Sequence, residues 1–332
     1  MEKPSLDTAK AGAMRFNTNS NQLEIYDGNQ WTGILGTSPN QQTGGTRGLI
    51  MGGIISGRSN VVDFITINTT GNFAEFGDLV QTASQGAGLG SRTRAVAGGG
   101  TPSTPSGTNN IDFATIASTG NFQDFGDFIT TGFGRAAVAS STRGVFFGKA
   151  VAPSSTNHIE YITIAATGNS VDFGDLVESK HTMGAAGNST RGIAVGGNPS
   201  NGTMNYVTIS TTGNAADFGD CTVAIWNTRG GNCGNAVRGL MAGGEPGSSN
   251  AIQFVTISTL GNTVDFGDRT VTKSQIAHMS STTRAVFAGA GEGDSDVADY
   301  VQIMTTGNAV DFGNLQSSYG YAVGASNGHG GL

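Results

Sequence analysis

Gly120-Asn121-Phe122-Gln123-Asp124-Phe125-Gly126-Asp127 is one of six related copies of a single segment in this chain. The other copies begin at Gly71, Gly168, Gly213, Gly261 and Gly307, and successive starts are 49, 48, 45, 48 and 46 residues apart. A period of that size marks a solenoid, a propeller or an array of supersecondary units. The recurrence also changes how Asp-Phe-Gly is read. A kinase magnesium loop would be accompanied by a Gly-rich phosphate loop, which is missing here. The motif is therefore expected to be architecture: Phe packing between units, Gly permitting a bend, Asp capping a turn.

Working outward from the motif, each repeat contains four strand-like pieces. The first is small, as in Ala136-Ala137-Val138-Ala139 and Gly184-Ala185-Ala186-Gly187. The second opens on Arg and ends in glycine, as in Arg191-Gly192-Ile193-Ala194-Val195-Gly196-Gly197. The third combines an aromatic, a β-branched residue, Thr and Ile, as in Phe64-Ile65-Thr66-Ile67 and Phe254-Val255-Thr256-Ile257. The fourth is the opening motif. Val, Ile, Thr and aromatics between Gly and Asn turns favour strands. Thr-Gly-Asn between the third and fourth pieces supplies the residues a tight turn requires. Helical periodicity is absent. Four antiparallel strands per unit and six units predict an all-β chain, a six-bladed β-propeller spanning residues 38–332. The segment Gly320–Asn327 follows the sixth copy as the small strands follow earlier copies. It is expected to become the inner strand of blade 1 and so close the ring, leaving no open sheet edge.

Composition narrows the functions available. The chain has 332 residues, 54 of them Gly, only 12% charged, with a net charge of −7. That balance disfavours a nucleic-acid surface, which needs a basic patch. No run of 18 apolar residues exists to span a membrane. The start, MEKPSLDTAKAG, lacks the apolar core of a signal peptide. Cys221 and Cys233 read as free thiols. His158, His181, His278 and His329 fall at different repeat positions without metal-ligand spacing. No Ser-His-Asp or Cys-His set stands out, so no catalytic residue, cofactor or metal is assigned. Glu292, Asp294 and Asp296 bring carboxylates together but match no calcium-loop pattern. Arg47, Arg94, Arg143, Arg191, Arg238 and Arg284 open the six second strands, each expected to be neutralised by an acidic neighbour such as Asp172 or Asp265.

Loops of antiparallel strands alternate between two faces. The first–second and third–fourth turns are nearly uniform across the repeats. The second–third and fourth–first loops differ in length and chemistry, and variable loops on a rigid scaffold are where binding usually lies. The candidate recognition residues there are Trp226 with Asn227 and Arg229, together with Phe133, Tyr319, Asp294 and Asp296. An exposed Trp226 would stack on a sugar or anchor an interface, and a packed one would cover the seam between the fourth and fifth blades.

Diglycines at Gly52-Gly53, Gly98-Gly99, Gly196-Gly197 and Gly243-Gly244 make the repeat resemble the kelch repeat. The resemblance weakens at Gly148-Lys149 and Gly289-Ala290, and Phe stands near the place of the usual kelch Trp. Residues 1–37 lie outside the repeats. Ala13-Met14-Arg15-Phe16-Asn17-Thr18 and Leu23-Glu24-Ile25-Tyr26-Asp27-Gly28-Asn29-Gln30-Trp31 read as short strands. They resemble a small module of tailed-bacteriophage fibre and virion proteins. The repeats and the ending Ser326-Asn327-Gly328-His329-Gly330-Gly331 resemble repeat proteins of phages of marine bacteria. These resemblances imply a non-enzymatic virion protein on the phage particle surface, made in the host cytoplasm. It would attach to other virion proteins through residues 1–37. Its propeller would be displayed on a fibre or appendage to contact a host-surface glycan or protein. Fibre modules are often trimeric. A head or neck decoration protein, or a glycan-binding lectin or depolymerase, are the alternatives.

Overall fold

A computed structural model describes residues 10–17, 22–33, 46–102, 107–151, 154–199, 201–223, 225, 231–245, 247–291 and 295–332. Among these residues every regular element is a β-strand, and the strands form seven antiparallel sheets of three or four strands. Among the described residues no helix is long and apolar enough to cross a membrane. The chain divides into two compact units, Met1–Thr43 and Gly44–Leu332.

The first unit contains one sheet of Met14–Asn17, Gln22–Tyr26 and Trp31–Gly33, in sequence order. Arg15 holds it together from one face. Its guanidinium lies 4.1 Å from the Trp31 ring centre, and its Nε donates to Glu24 at 2.8 Å. Asp27 shapes the following turn by accepting the backbone N–H groups of Gln30 and Asn29, which lowers its carboxyl below the usual range.

The second unit contains six sheets. Sheet 1 orders its strands Val323–Ser326, Arg47–Met51, Val61–Thr66, Ala74–Asp78. The C-terminal strand thus pairs with the first strand of the repeats, Val323 opposite Met51 and Ser326 opposite Gly48. Sheet 2 runs Ala87–Gly90, Arg94–Gly98, Thr108–Thr115, Gln123–Gly132. Sheet 3 runs Ala136–Ala139, Arg143–Val151, Ser154–Thr163, Val171–Asp175. Sheet 4 runs Gly184–Gly187, Arg191–Val195, Thr203–Thr208, Ala216–Asp220. Sheet 6 runs Ala277–Ser280, Arg284–Ala288, Ser295–Gln302, Val310–Tyr319.

Sheet 5 departs from the expected four strands. Among the described residues it has three, Arg238–Ala242, Ser249–Thr256 and Val264–Lys273. Its small first strand is reduced to a bridge between Gly234 and Gly239, with Leu240 donating to the Cys233 carbonyl at 3.1 Å. The preceding Cys233-Gly234-Asn235 is short, and Asn235 already turns the chain by accepting the N–H groups of Val237 and Arg238.

Apolar residues collect between sheets, in six buried clusters. Leu49 and Phe76 of sheet 1 pack with Ala95 and Ala114 of sheet 2. The same occurs between sheets 2 and 3, 3 and 4, 4 and 5, and 5 and 6. A sixth cluster joins Ile50, Ile65 and Ile67 of sheet 1 to Met279, Val286 and Phe312 of sheet 6. Each sheet is apolar on both faces for this reason. The first strands must be small because their backbones approach one another. A Cβ on Gly88 would stand 2.4 Å from the Gly324 carbonyl oxygen, and one on Gly324 would stand 2.1 Å from that of His278.

Candidate functional site at the sheet seams

The repeated motif works between sheets more than within them. The expected tight turn at Thr-Gly-Asn closes one step earlier, with Thr69 N–H donating to the Thr66 carbonyl at 3.1 Å. The Gly-Asn pair then docks on the preceding sheet. Gly120 N–H donates to the Phe76 carbonyl at 2.8 Å, Asp78 N–H to Asn121 Oδ1 at 3.2 Å and Phe122 N–H to the Asp78 carbonyl at 2.8 Å. The same three bonds recur at each later seam. They recur between the last sheet and the first: Gly71 to Phe312 at 2.9 Å, Asn314 to Asn72 at 3.0 Å and Phe73 to Asn314 at 2.9 Å. Gly of Asp-Phe-Gly is required by this contact. At Gly77 φ is +152°, and an added Cβ would stand 2.5 Å from the Gly120 carbonyl oxygen. The final Asp of the motif contributes its backbone N–H and C=O here.

The six arginines are held differently from the sequence expectation. Among the described residues none forms an ion pair. Each guanidinium instead lies over the third-strand aromatic of its own sheet, 4.7 Å above Phe64 for Arg47 and 4.2 Å above Tyr300 for Arg284. Each also donates to an Ile carbonyl of the next sheet. Arg47 reaches Ile116 at 3.1 Å, and Arg284 reaches Ile67 at 3.1 Å. Cation–π attraction and a carbonyl acceptor satisfy the group without a carboxylate. The same aromatics meet the motif phenylalanines edge-on, Phe113 to Phe125 at 5.7 Å for example.

A second polar layer escaped the sequence reading. The residue before each third-strand aromatic is Asp63, Asp112, Glu160, Asn205, Gln253 or Asp299, and all six are buried. Five of them accept a backbone N–H from the preceding sheet's outer segment. The donors are Val80 to Asp112 at 3.2 Å, Ile129 to Glu160 at 3.0 Å, Val177 to Asn205 at 3.1 Å, Val223 to Gln253 at 3.2 Å and Thr270 to Asp299 at 2.9 Å. Six polar residues at one position, each between an apolar residue and an aromatic, were a legible signal.

Side-chain partners differ from seam to seam. Glu160 is surrounded by Lys149 Nζ at 2.9 Å, Ser170 Oγ at 2.6 Å and Arg135 at 3.9 Å. Burial raises its pKa, but the Ser170 and Lys149 bonds outweigh it and hold the carboxyl below the usual range. Burial pushes Arg135 down to about 10, against the pull of Glu160. Arg269 Nε donates to Asp299 at 2.9 Å, both side chains fully buried. Gln253 Oε1 accepts from Thr222 at 2.7 Å and Thr263 at 2.6 Å. Asp63 accepts from the Tyr319 hydroxyl at 2.8 Å. Asp112 has the Val80 N–H, and its Oδ1 has no partner among the described residues. Burial, with a smaller contribution from Asp124, pushes its pKa up to about 6.

The residues expected to recognise a partner are not brought together. Trp226, Asn227, Arg229 and Asp294 lie outside the described residues, as does Glu292. Tyr319 is 1% exposed and cannot serve as a surface residue; the outer strand of sheet 6 runs on to include it, and Asp63 takes its hydroxyl. Phe133 is half-buried, its backbone bridged to Ala150 and its ring edge-on to His181 at 6.3 Å. Asp296 is half-buried and accepts from Asn314 Nδ2 at 2.9 Å. No family model matches the sequence, and no curated protein matches it. Among the described residues no cluster of His, Cys, Asp and Glu could hold a metal ion. Burial raises both thiols, Cys221 to about 12, which suits packing groups and not nucleophiles.

The end of the chain crosses the region where the first strands converge. His329 is buried, with Nε2 2.8 Å from the Gly90 carbonyl oxygen and Nδ1 2.9 Å from Asn232 Nδ2. Gly330 N–H donates to the Gly234 carbonyl at 3.0 Å. These bonds tie the terminus to the first strand of sheet 2 and to the segment leading into sheet 5.

Proposed function

We propose that residues 46–332 form a six-bladed, kelch-like β-propeller whose ring is closed by Val323–Ser326. We further propose that it belongs to a non-enzymatic phage virion protein, displayed on a fibre or appendage for host-surface adhesion. The cyclic run of seam contacts supports the ring, since the Gly-Asn latch and the Arg–Ile bond both recur between sheet 6 and sheet 1. End-on class averages of the isolated protein should show six radial densities. Five, seven or an open arc would overturn the ring.

The observation that carries the functional reading is that the repeated residues are already engaged in the seams, while strands extend unequally at one end. The outer strands of sheets 2, 5 and 6 each have ten residues, those of sheets 1, 3 and 4 five. A rigid body presenting unequal hairpins is suited to binding. Residues 1–37 would attach it to the particle, as the resemblance of their sequence to fibre modules suggests. Gold-labelled antibody against the chain should mark a few tail sites, and free protein should reduce adsorption. Dense labelling of the head would replace adhesion with decoration. Absence of label would overturn both.

A further inference from the structure

The seam between sheets 1 and 2 differs from its counterparts in a way that leaves a pocket. Four acids occupy the buried seam position, and three of them meet a donor side chain: Asp63 meets Tyr319, Glu160 meets Lys149, and Asp299 meets Arg269. Strand register identifies the corresponding positions around Asp112. Ala136 pairs with Phe147 as Ala87 pairs with Gly98, so Arg135 and Lys149 correspond to Gly86 and Gly100. Counting from the motif glycines Gly267, Gly313 and Gly77, Arg269 corresponds to Leu79 and Tyr319 to Ala83. The positions of Arg135, Lys149, Arg269 and Tyr319 are glycine, alanine or leucine here, and those of the hydroxyl donors Ser170 and Thr270 are Phe122 and Val80. The result is a cavity of about 20 Å³ lined by Leu79, Gln81, Ala83, Gly86, Asn110 and Asp112. Its acid is 5% exposed, and Oδ1 has no partner. Half-buried Gln81, Asn110 and Tyr321 stand at its edge.

We propose that this seam is a binding site for a primary ammonium group, with Asp112 as its counter-ion. Size supports the choice, since a cavity of this volume takes one water-sized group. Chemistry supports it too, because the chain itself places an ammonium, Lys149 Nζ, at the equivalent acid one seam away. A buried carboxylate gains most from a partner that brings both charge and donors. A lysine side chain and an amino sugar carry the same group.

Methylammonium chloride titrated at pH 7.5 tests the site. The expected result is a saturable shift of the Val80 amide resonance, which reports on Asp112. It should come with a rise in Tm of about 1 °C or more at saturation. Tetramethylammonium, which has no N–H, and sodium chloride at equal concentration should do neither. Asp112→Asn should abolish the response. Ala83→Tyr, which copies the Tyr319 arrangement, should also abolish it and raise Tm without ligand. Acetyl-lysine amide, with its free side-chain amine, and glucosamine then distinguish the source, the tighter binder naming it. No saturable response in the wild type, an equal response to sodium chloride, or an undiminished one in either variant overturns the proposal.

Discussion

The seams between sheets 5 and 6 and between sheets 1 and 2 carry the same backbone latch and opposite side-chain chemistry. At the first, Asp299 and Arg269 are both fully buried and meet at 2.9 Å, with Thr270 adding its N–H at 2.9 Å and its hydroxyl at 2.8 Å. At the second, Asp112 faces Leu79 where Arg269 would stand. The latch is present at every seam, together with the Arg–Ile bond and a buried apolar cluster. The acid layer beneath it varies. A buried ion pair adds little over apolar packing when both partners are present, yet removing one leaves an uncompensated charge. The paired seam is thus fragile to single substitution, and the unpaired seam is tolerant of it.

The comparison is broken most severely by removing what the sixth and first sheets share. Deleting residues 319–332 takes away the Tyr319 bond to Asp63, the strand paired with Arg47–Met51 and the buried His329. Cooperative thermal unfolding followed by circular dichroism should be lost or shifted by roughly 5 kcal/mol or more, the exceptional end of sequence changes. An unchanged transition would mean that the cyclic contacts carry no stability. Next in size is Asp299→Ala, which strands Arg269. It should cost about 3–5 kcal/mol in urea unfolding, while Asp112→Ala should cost no more than about 1 kcal/mol. Equal losses would erase the distinction between the seams. Gly77→Ala tests the shared latch instead. With φ at +152° and the Gly120 carbonyl oxygen 2.5 Å from the new Cβ, it should cost about 1–3 kcal/mol. The same change at Gly126 or Gly267 should cost as much, because those glycines meet the next turn at the same distance.

The strands and their order within a sheet were legible in the repeat, and so was the C-terminal segment that pairs with Arg47–Met51. The direction of the Gly-Asn contact was not. In a periodic chain, a bond from Asn121 to Asp78 and one within its own unit are written by the same residues, so spacing cannot tell them apart. The arginines misled for a related reason. Carboxylates lie nearby in every repeat, but the aromatic ring beneath each guanidinium and the Ile carbonyl beyond it are already in place. Tyr319 read as a loop because it lies beyond the last motif, whereas the outer strand of sheet 6 runs ten residues. The polar residue before each aromatic was visible as a pattern. Its partners were not, since Lys149, Arg269 and Tyr319 come from three different places in the repeat.

The smallest expected effect is the sharpest test of the unpaired seam. Asp112→Asn keeps an acceptor for the Val80 N–H, as Asn205 does for Val177 at 3.1 Å two seams on. What it removes is the titration. Burial raises the folded-state pKa of Asp112 to about 6, above the roughly 3.9 of an unfolded Asp. A raised acid pKa stabilises the folded protein at low pH. That contribution is fully present below about pH 4 and is lost as pH rises through about 6. The wild type should therefore show a decline in stability between pH 4 and 6 that Asp112→Asn lacks. At pH 7.5 the variant should be more stable, by on the order of 1 kcal/mol. Asp299→Asn makes the opposite case, because Arg269 then loses its counter-charge, and it should be destabilised at pH 7.5. Urea midpoints for both variants at pH 4.5 and 7.5 decide the matter. Two variants that move in the same direction at pH 7.5 would show that the neighbours of these two acids do not set their cost.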